Sequence, residues 1–129
     1  MRKLIILLTM LFLHIIDDYV LQDALARLKQ RSYWKEHAPD EKYKHDYIIA
    51  LIEHSFEWTF MVMLPITIKC FILNYGLFLY VVCFLANVII HTIVDDLKAN
   101  KLKINLIQDQ CVHIVQVLIT WFVLGGIFK

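Results

Sequence analysis

The 129-residue chain holds no GxGxxG turn, no P-loop and no CxxC pair, so neither a glycine-rich phosphate cradle nor a dithiol motif is written into it. Charge is also scarce. Only 19% of residues are Asp, Glu, Lys or Arg, and their balance is a formal +1, which leaves no electrostatic footprint for a nucleic-acid partner. The three cysteines, Cys70, Cys83 and Cys111, are odd in number and lack the regular spacing of a disulfide framework. They lie in or beside apolar segments and read as small buried hydrophobes.

What the chain has instead is apolar length. Hydrophobic residues make up 60% of it, well above a soluble domain of this size. A bilayer span needs about 20 predominantly apolar residues. Four stretches qualify: residues 4–21, 47–68, 75–97 and 106–128. The expectation is an all-α polytopic membrane protein, one domain over residues 1–129 built as a four-transmembrane-helix bundle. Arg2 and Lys3 ahead of the first run, with Ala24-Leu25-Ala26 beyond it, imitate a secretory signal. His14, Asp17, Asp18 and Asp23 make the intervening stretch too long and too charged for one, so the run is read as a span.

The basic residues favour one side. Arg27, Lys29, Arg31, Lys35, Lys42 and Lys44 lie between the first two spans and Lys98, Lys101 and Lys103 between the last two, against Arg2, Lys3, Lys69 and Lys129 opposite. The positive-inside rule then puts both basic loops in the cytoplasm and both termini outside. Residues 22–46 are expected to continue the first helix, because Leu21, Ala24, Leu25 and Leu28 keep an apolar stripe until Pro39 ends it. Tyr33, Trp34, Tyr43 and Tyr47 suit interfacial anchoring. A lid over the cytoplasmic mouth is the alternative for this segment.

Each span carries a histidine, three of them paired with an aspartate four residues away: His14/Asp18, His91/Asp95 and Asp109/His113, with His54 in the remaining span. Four residues is about one helical turn, so each pair shares a face. An aspartate at the bilayer centre costs roughly 2.5–3.5 kcal/mol on insertion scales, so these groups must face protein, water or a cation. Counted from the cytoplasmic span ends, all four histidines lie about 10 Å deep. Asp18, Asp95 and Asp109 fall one turn nearer the cytoplasm. The order turns from His-before-Asp to Asp-before-His in the last span, as the reversed chain direction requires if all share one layer. His14-Ile-Ile-Asp17-Asp18 against His91-Thr-Ile-Val-Asp95-Asp96 also makes a weak internal repeat.

Imidazole and carboxylate suit zinc, iron or manganese, zinc being favoured, and i, i+4 spacing lets one helix supply two ligands to one ion. The seven candidates His14, Asp18, His54, His91, Asp95, Asp109 and His113 exceed the four ligands of a closed zinc site, which leaves room for two ions or for groups that orient ligands. One intramembrane histidine is more simply a helix-to-helix hydrogen bond. Four at one depth, beside carboxylates that need a cation or protons to coexist, point to a shared site. A metal there would activate water against a membrane-associated or phosphorylated substrate. Glu57 is the candidate general base.

Other polar residues carry lesser expectations. Glu53 should face a polar neighbour, and Gln22 and Gln110 should orient ligands. Asp17 and Asp96 should point about 100° away from their paired neighbours, Asp96 into solvent. Asn87 should share the face of His91, and Cys111 should turn about 160–200° away from Asp109 and His113. Two other functions would use the same chain. A proton or divalent-metal transporter or channel asks for polar residues through the other half of the bundle, where Thr9, Thr59 and Thr120 are few. An effector binding a host protein through the first loop would depend on Arg27, Lys29 and Arg31.

Four ordered motifs carry a family resemblance: HIIDDYVLQ from His14 to Gln22, HSFEWT from His54, NVIIHTIVDDLK from Asn87 to Lys98, and DQCVH from Asp109 to His113. Together they resemble the small bacterial and phage membrane family catalogued as domain of unknown function 3307, over nearly the whole chain. The resemblance implies that the seven candidate ligands are the family's polar core. It also implies a bacterial inner-membrane location and occurrence in phage or prophage genomes, and it supplies no activity. Tyr19 stands where Phe is usual, and Asp17 is an additional acid.

Overall fold

Apolar helical runs set the architecture. The computed structural model describes residues 2–73 and 76–125. Helix α1 (Arg2–Ile16) passes through a wide π-type turn (Asp17–Leu21) to two short helices, α2 (Asp23–Leu28) and α3 (Arg31–His37). A 3-10 turn (Glu41–Tyr43) then leads to the long helices α4 (Asp46–Leu73), α5 (Leu77–Ala99) and α6 (Leu106–Leu124). Four stretches, Arg2–Leu21, Glu41–Ile72, Leu77–Ala99 and Leu106–Leu124, are long and apolar enough to cross a membrane. These match the four predicted spans; Tyr75 and positions 126–128 lie outside the described residues.

Helix α4 packs against α1 and α5, α5 against α6, and α6 against α1, so the long helices close a ring. Met10 and His14, one turn apart on α1, face its interior, while Leu4, Leu8, Phe12 and Ile15 are exposed. An apolar outer face is what lipid requires, and it leaves the inner stripe to carry polar chemistry. At the end away from α2 and α3 the interior is an apolar plug of Met10, Trp58, Val62, Met63, Ile66, Cys70, Val117 and Leu124. Of the cysteines expected to be buried only Cys70 is; Cys83 is half-buried and Cys111 is exposed, because α6 turns it outward, away from Asp109 and His113.

The segment after α1 departs from the straight continuation expected. Gln22 N donates to Asp17 O at 3.2 Å, closing the wide i to i+5 turn. Asp23 then has a φ of 21°, and Gln30 is extended. The apolar stripe is thereby cut into α2 and α3, both of which lie against α4. Helix α3 stops at His37, two residues before Pro39, whose ring disfavours helix at the preceding position. The joint between α2 and α3 is tied to the end of α5 by Asn100. Its Oδ1 accepts from Arg31 N at 2.7 Å and its Nδ2 donates to Lys29 O at 3.1 Å.

Helix α6 starts on a reciprocal cap. Asn105 Oδ1 accepts from Gln108 N at 2.9 Å while Gln108 Oε1 accepts from Asn105 N at 3.0 Å. That cap fixes where Asp109 and His113 begin their climb along α6. Replacing Asn105 by Ala is expected to cost about 1 kcal/mol, measured by reversible unfolding of the detergent-solubilised protein in a graded denaturing detergent.

Candidate metal centre

The ring of helices brings all four span histidines together. His91 stacks on His113 with centroids 4.1 Å apart, His54 lies 5.1 Å from His91, and His14 lies 6.0 Å from His113. The side chains of Asp18, Asp95 and Asp109 are buried among them. The reversed His/Asp order of α6 thus meets the other helices in one layer, as the sequence required. Two triads, Asp18/His54/His91 and His91/Asp95/His113, have ligand atoms close enough to hold a metal ion.

Ring nitrogens and carboxylate oxygens face one another here. The Nε2 atoms of His54 and His91 are 3.3 Å apart, and Asp95 Oδ2 is 3.4 Å from the first and 3.9 Å from the second. Two ligand atoms about 2.0–2.1 Å from one tetrahedral ion are separated by about 3.3 Å, so this triangle is close to one face of a zinc coordination tetrahedron. Asp18 Oδ1 stands 3.8 Å from the same His54 nitrogen. His113 gives a second indication. Gln116 Oε1 accepts only, so His113 Nδ1 must donate to it across 3.1 Å. The other ring nitrogen, Nε2, then faces Asp109 Oδ1 at 3.3 Å and Asp95 Oδ1 at 3.6 Å, an arrangement that needs a proton or a cation between them. His113 Nε2 and Asp109 Oδ1, which face each other, are buried without a hydrogen-bond partner, as expected of groups that share an ion or a proton; the Nδ1 atoms of His54 and His91, across their rings from the triangle, are also without one.

His14 is held differently. The indole Nε1 of Trp58 donates to His14 Nδ1 at 2.9 Å, and an indole N–H can only donate, so that nitrogen's lone pair is taken. Trp58 also stacks on His91 with centroids 4.3 Å apart, so one residue orients two imidazoles. Gln110 Nε2 bridges Asp18 Oδ2 at 2.9 Å and Asp109 Oδ2 at 3.2 Å, the orienting amide anticipated for it. Gln22 binds the backbone oxygen of Asp18 rather than its carboxylate.

Two lysines that sequence reading assigned to loops belong to the centre. Lys29, 6% exposed, donates from Nζ to Asp95 Oδ2 at 2.5 Å, and Lys98 donates to Asp109 Oδ2 at 2.5 Å. Asp17, expected to point away, is fully buried 4.0 Å from His54 Nδ1, because the π-type turn rotates both neighbouring aspartates inward. Fully ionised, the four carboxylates of Asp17, Asp18, Asp95 and Asp109 outnumber the two ammonium groups by two. One divalent cation or two imidazolium protons would restore neutrality.

The remaining polar residues sort by position. Gln116, unremarked in the sequence, donates to Asn87 O at 3.1 Å and Oδ1 at 3.2 Å, and Asn87 donates to Thr120 Oγ1 at 2.7 Å. Its spacing of three from His113 was the available signal. Asn87 is buried on the His91 side of α5, as read. Asp96 is not freely solvated: Lys101 Nζ lies 2.8 Å away, and this contact raises the lysine's pKa above its ordinary value. Glu53 faces outward rather than toward a polar neighbour, its place on α4 turning it from the bundle. Glu57 is half-buried, and its electrostatic link to the centre is to Asp17.

Comparison with family profiles, with curated proteins and with solved structures returned no match. The described residues form an all-α bundle with four candidate membrane spans and a buried His/Asp cluster that could hold a metal ion.

The Trp58 to His14 bond is directly testable. Trp58→Phe and His14→Phe should each cost about 0.5–1.5 kcal/mol of unfolding free energy, and the double variant should lose less than their sum. Unfolding of the four proteins of this cycle in one detergent measures the coupling.

Proposed function

We propose that the chain is a membrane metalloenzyme that hydrolyses a membrane-associated or phosphorylated substrate. The observation that carries this reading is the triangle of His54 Nε2, His91 Nε2 and Asp95 Oδ2, with edges of 3.3, 3.4 and 3.9 Å. These three groups would hold the ion, with Asp18 Oδ1 3.8 Å from the same His54 nitrogen as a neighbouring carboxylate, zinc being favoured by the imidazole pair. Such an ion would supply Lewis-acid polarisation of the scissile ester and an acidified water.

The chain's own residues divide the other tasks. His113 and Gln110 orient Asp95, Asp109 and Asp18, while the apolar plug keeps water from the far end of the bundle. Glu57 Oε atoms, one turn along α4 from His54, are the proton acceptor in this reading. The α2 and α3 end faces the cytoplasm, as the positive-inside count has it. The motif resemblance to the bacterial and phage family belongs to the same proposal and adds an inner-membrane location without an activity.

A proton or metal pathway is the second reading, favoured by the polar ladder from His113 through Gln116 and Asn87 to Thr120. That ladder runs into the plug, where Asn87 Nδ2 meets Met63 Sδ at 3.9 Å. A one-sided site therefore fits the interior better than a through-path.

Elemental mass spectrometry on detergent-purified protein tests the ion. About one zinc per chain is expected in the wild type and in His14→Phe, with loss in His91→Ala and Asp95→Asn. Folded wild type that takes up no zinc, iron or manganese when challenged would overturn the reading. In a screen of chromogenic phosphoesters, Glu57→Gln should retain metal yet turn over about 10²–10⁴-fold more slowly.

A further inference from the structure

The positions of Lys29 and Lys98 are costly ones for a membrane bundle. A buried ammonium loses its hydration and persists only where a partner replaces it. Lys29 reaches inward from the end of a six-residue helix to a carboxylate 66 positions away. Its backbone is anchored for that purpose, since Asn100 holds Lys29 O and Arg31 N at the end of α5. Lys98, one turn from Asp95 on the same side of the layer, grips Asp109 in the same manner. Both lysines enter from the α2 and α3 end, opposite the apolar plug.

The atom Lys29 holds, Asp95 Oδ2, is the one that forms the proposed coordination triangle with His54 and His91. When a divalent ion takes that oxygen, the carboxylate's charge is spent on the ion and the ammonium is left short of an anion. Lys98 holds Asp109 Oδ2, outside the proposed triangle, and stands as a second cation beside Lys29. A tetrahedral ion with three protein ligands keeps its fourth position open. An anion bound to such an ion would meet the Lys29 ammonium, which shares Asp95 Oδ2 with the triangle.

We propose that Lys29, with Lys98 beside it, forms an anion clamp at the mouth of the metal centre, which recruits the phosphate group of the substrate once the ion has displaced the Lys29 ammonium from Asp95. The inference rests on the metal reading above and narrows its substrate class to phosphomonoesters, either water-soluble or carried on a lipid headgroup. Lysine serves phosphate as a mobile point charge, and its flexible stem allows the same ammonium to serve Asp95 first and the phosphate afterwards.

The test uses the full chain in detergent micelles, loaded with zinc and titrated with inorganic phosphate by calorimetry. In parallel, it is placed in nanodiscs with and without phosphatidic acid. Metal content and helicity are measured on every sample. Wild type should bind phosphate only when zinc is present, Lys29→Met should bind it at least about tenfold more weakly with zinc retained, and Lys29→Arg should recover part of the loss. Lys98→Gln, at a half-exposed position where the amide can still donate to Asp109, supplies the same comparison should Lys29→Met fail to fold. Lysine-dependent binding of free phosphate would identify a soluble substrate, and lysine-dependent binding confined to phosphatidate discs a lipid one; either supports the clamp. Zinc-loaded variants that bind both probes as wild type does would overturn the clamp and leave the metal reading standing. Loss of zinc on removing Lys29 and Lys98 would overturn it too, by making them supports of the ion. Absence of zinc from every folded sample would overturn both.

Discussion

Four carboxylates buried between helices whose outer faces are apolar must be neutralised, and the rest of the molecule is arranged around that requirement. Solvent does not reach Asp17 or Asp109, and Asp95 is almost as dry. Their charge must therefore be met by protein cations, protons or a bound ion. Two lysines, four imidazoles and one glutamine meet part of it. The helix order, the wide turn after α1 and the folding of α2 against α4 all serve to bring those groups within reach of the same few oxygens.

Period decided what could be read in advance. A four-residue spacing fixes a shared face whatever the neighbours do, so the His/Asp pairs and their inward direction were legible, and the reversed order on α6 placed them in one layer. What escaped was set by tertiary contact. Lys29 looks like one more positive residue in a basic loop, and nothing local says that α2 ends beneath Asp95. Asp17 was misread because a regular helix was assumed, where a π-type turn widens the spiral and brings two consecutive aspartates to one side. Gln116 shares the His113 face by simple spacing, but its use depends on Asn87 standing opposite on α5.

The imidazoles are chemically distinct although their sequence settings look alike. His14 spends Nδ1 on an indole donor, His113 gives its Nδ1 proton to an amide oxygen, and His54 and His91 turn their Nε2 atoms toward each other. A ring nitrogen that already accepts a hydrogen bond cannot also bind an ion, while one whose partner nitrogen donates elsewhere is free to do so. By that rule His113 has a nitrogen available to an ion, and His54 and His91 offer the Nε2 atoms that face each other, whereas His14 serves to position Trp58. Trp58 in turn walls the centre from the apolar plug, so the same indole separates the polar layer from the dry one and sets the tilt of His91.

The two ends of the bundle are built for opposite tasks, and the contrast bears on mechanism. Beyond Trp58 the interior is filled by Val62, Met63, Ile66, Val117 and Leu124, and the polar ladder ends at Met63. An ion or proton crossing that region would have to shed its partners against thioether and hydrocarbon. At the other end the groups closing the centre are charged, flexible lysine stems carried by a short helix and by the last turn of α5, tied together through Asn100. Charged stems can be drawn aside by a competing anion, whereas a packed plug opens only at the expense of its contacts. The asymmetry therefore supports the proposed one-sided site, with access from the α2 side and containment at the far side, over a conduit.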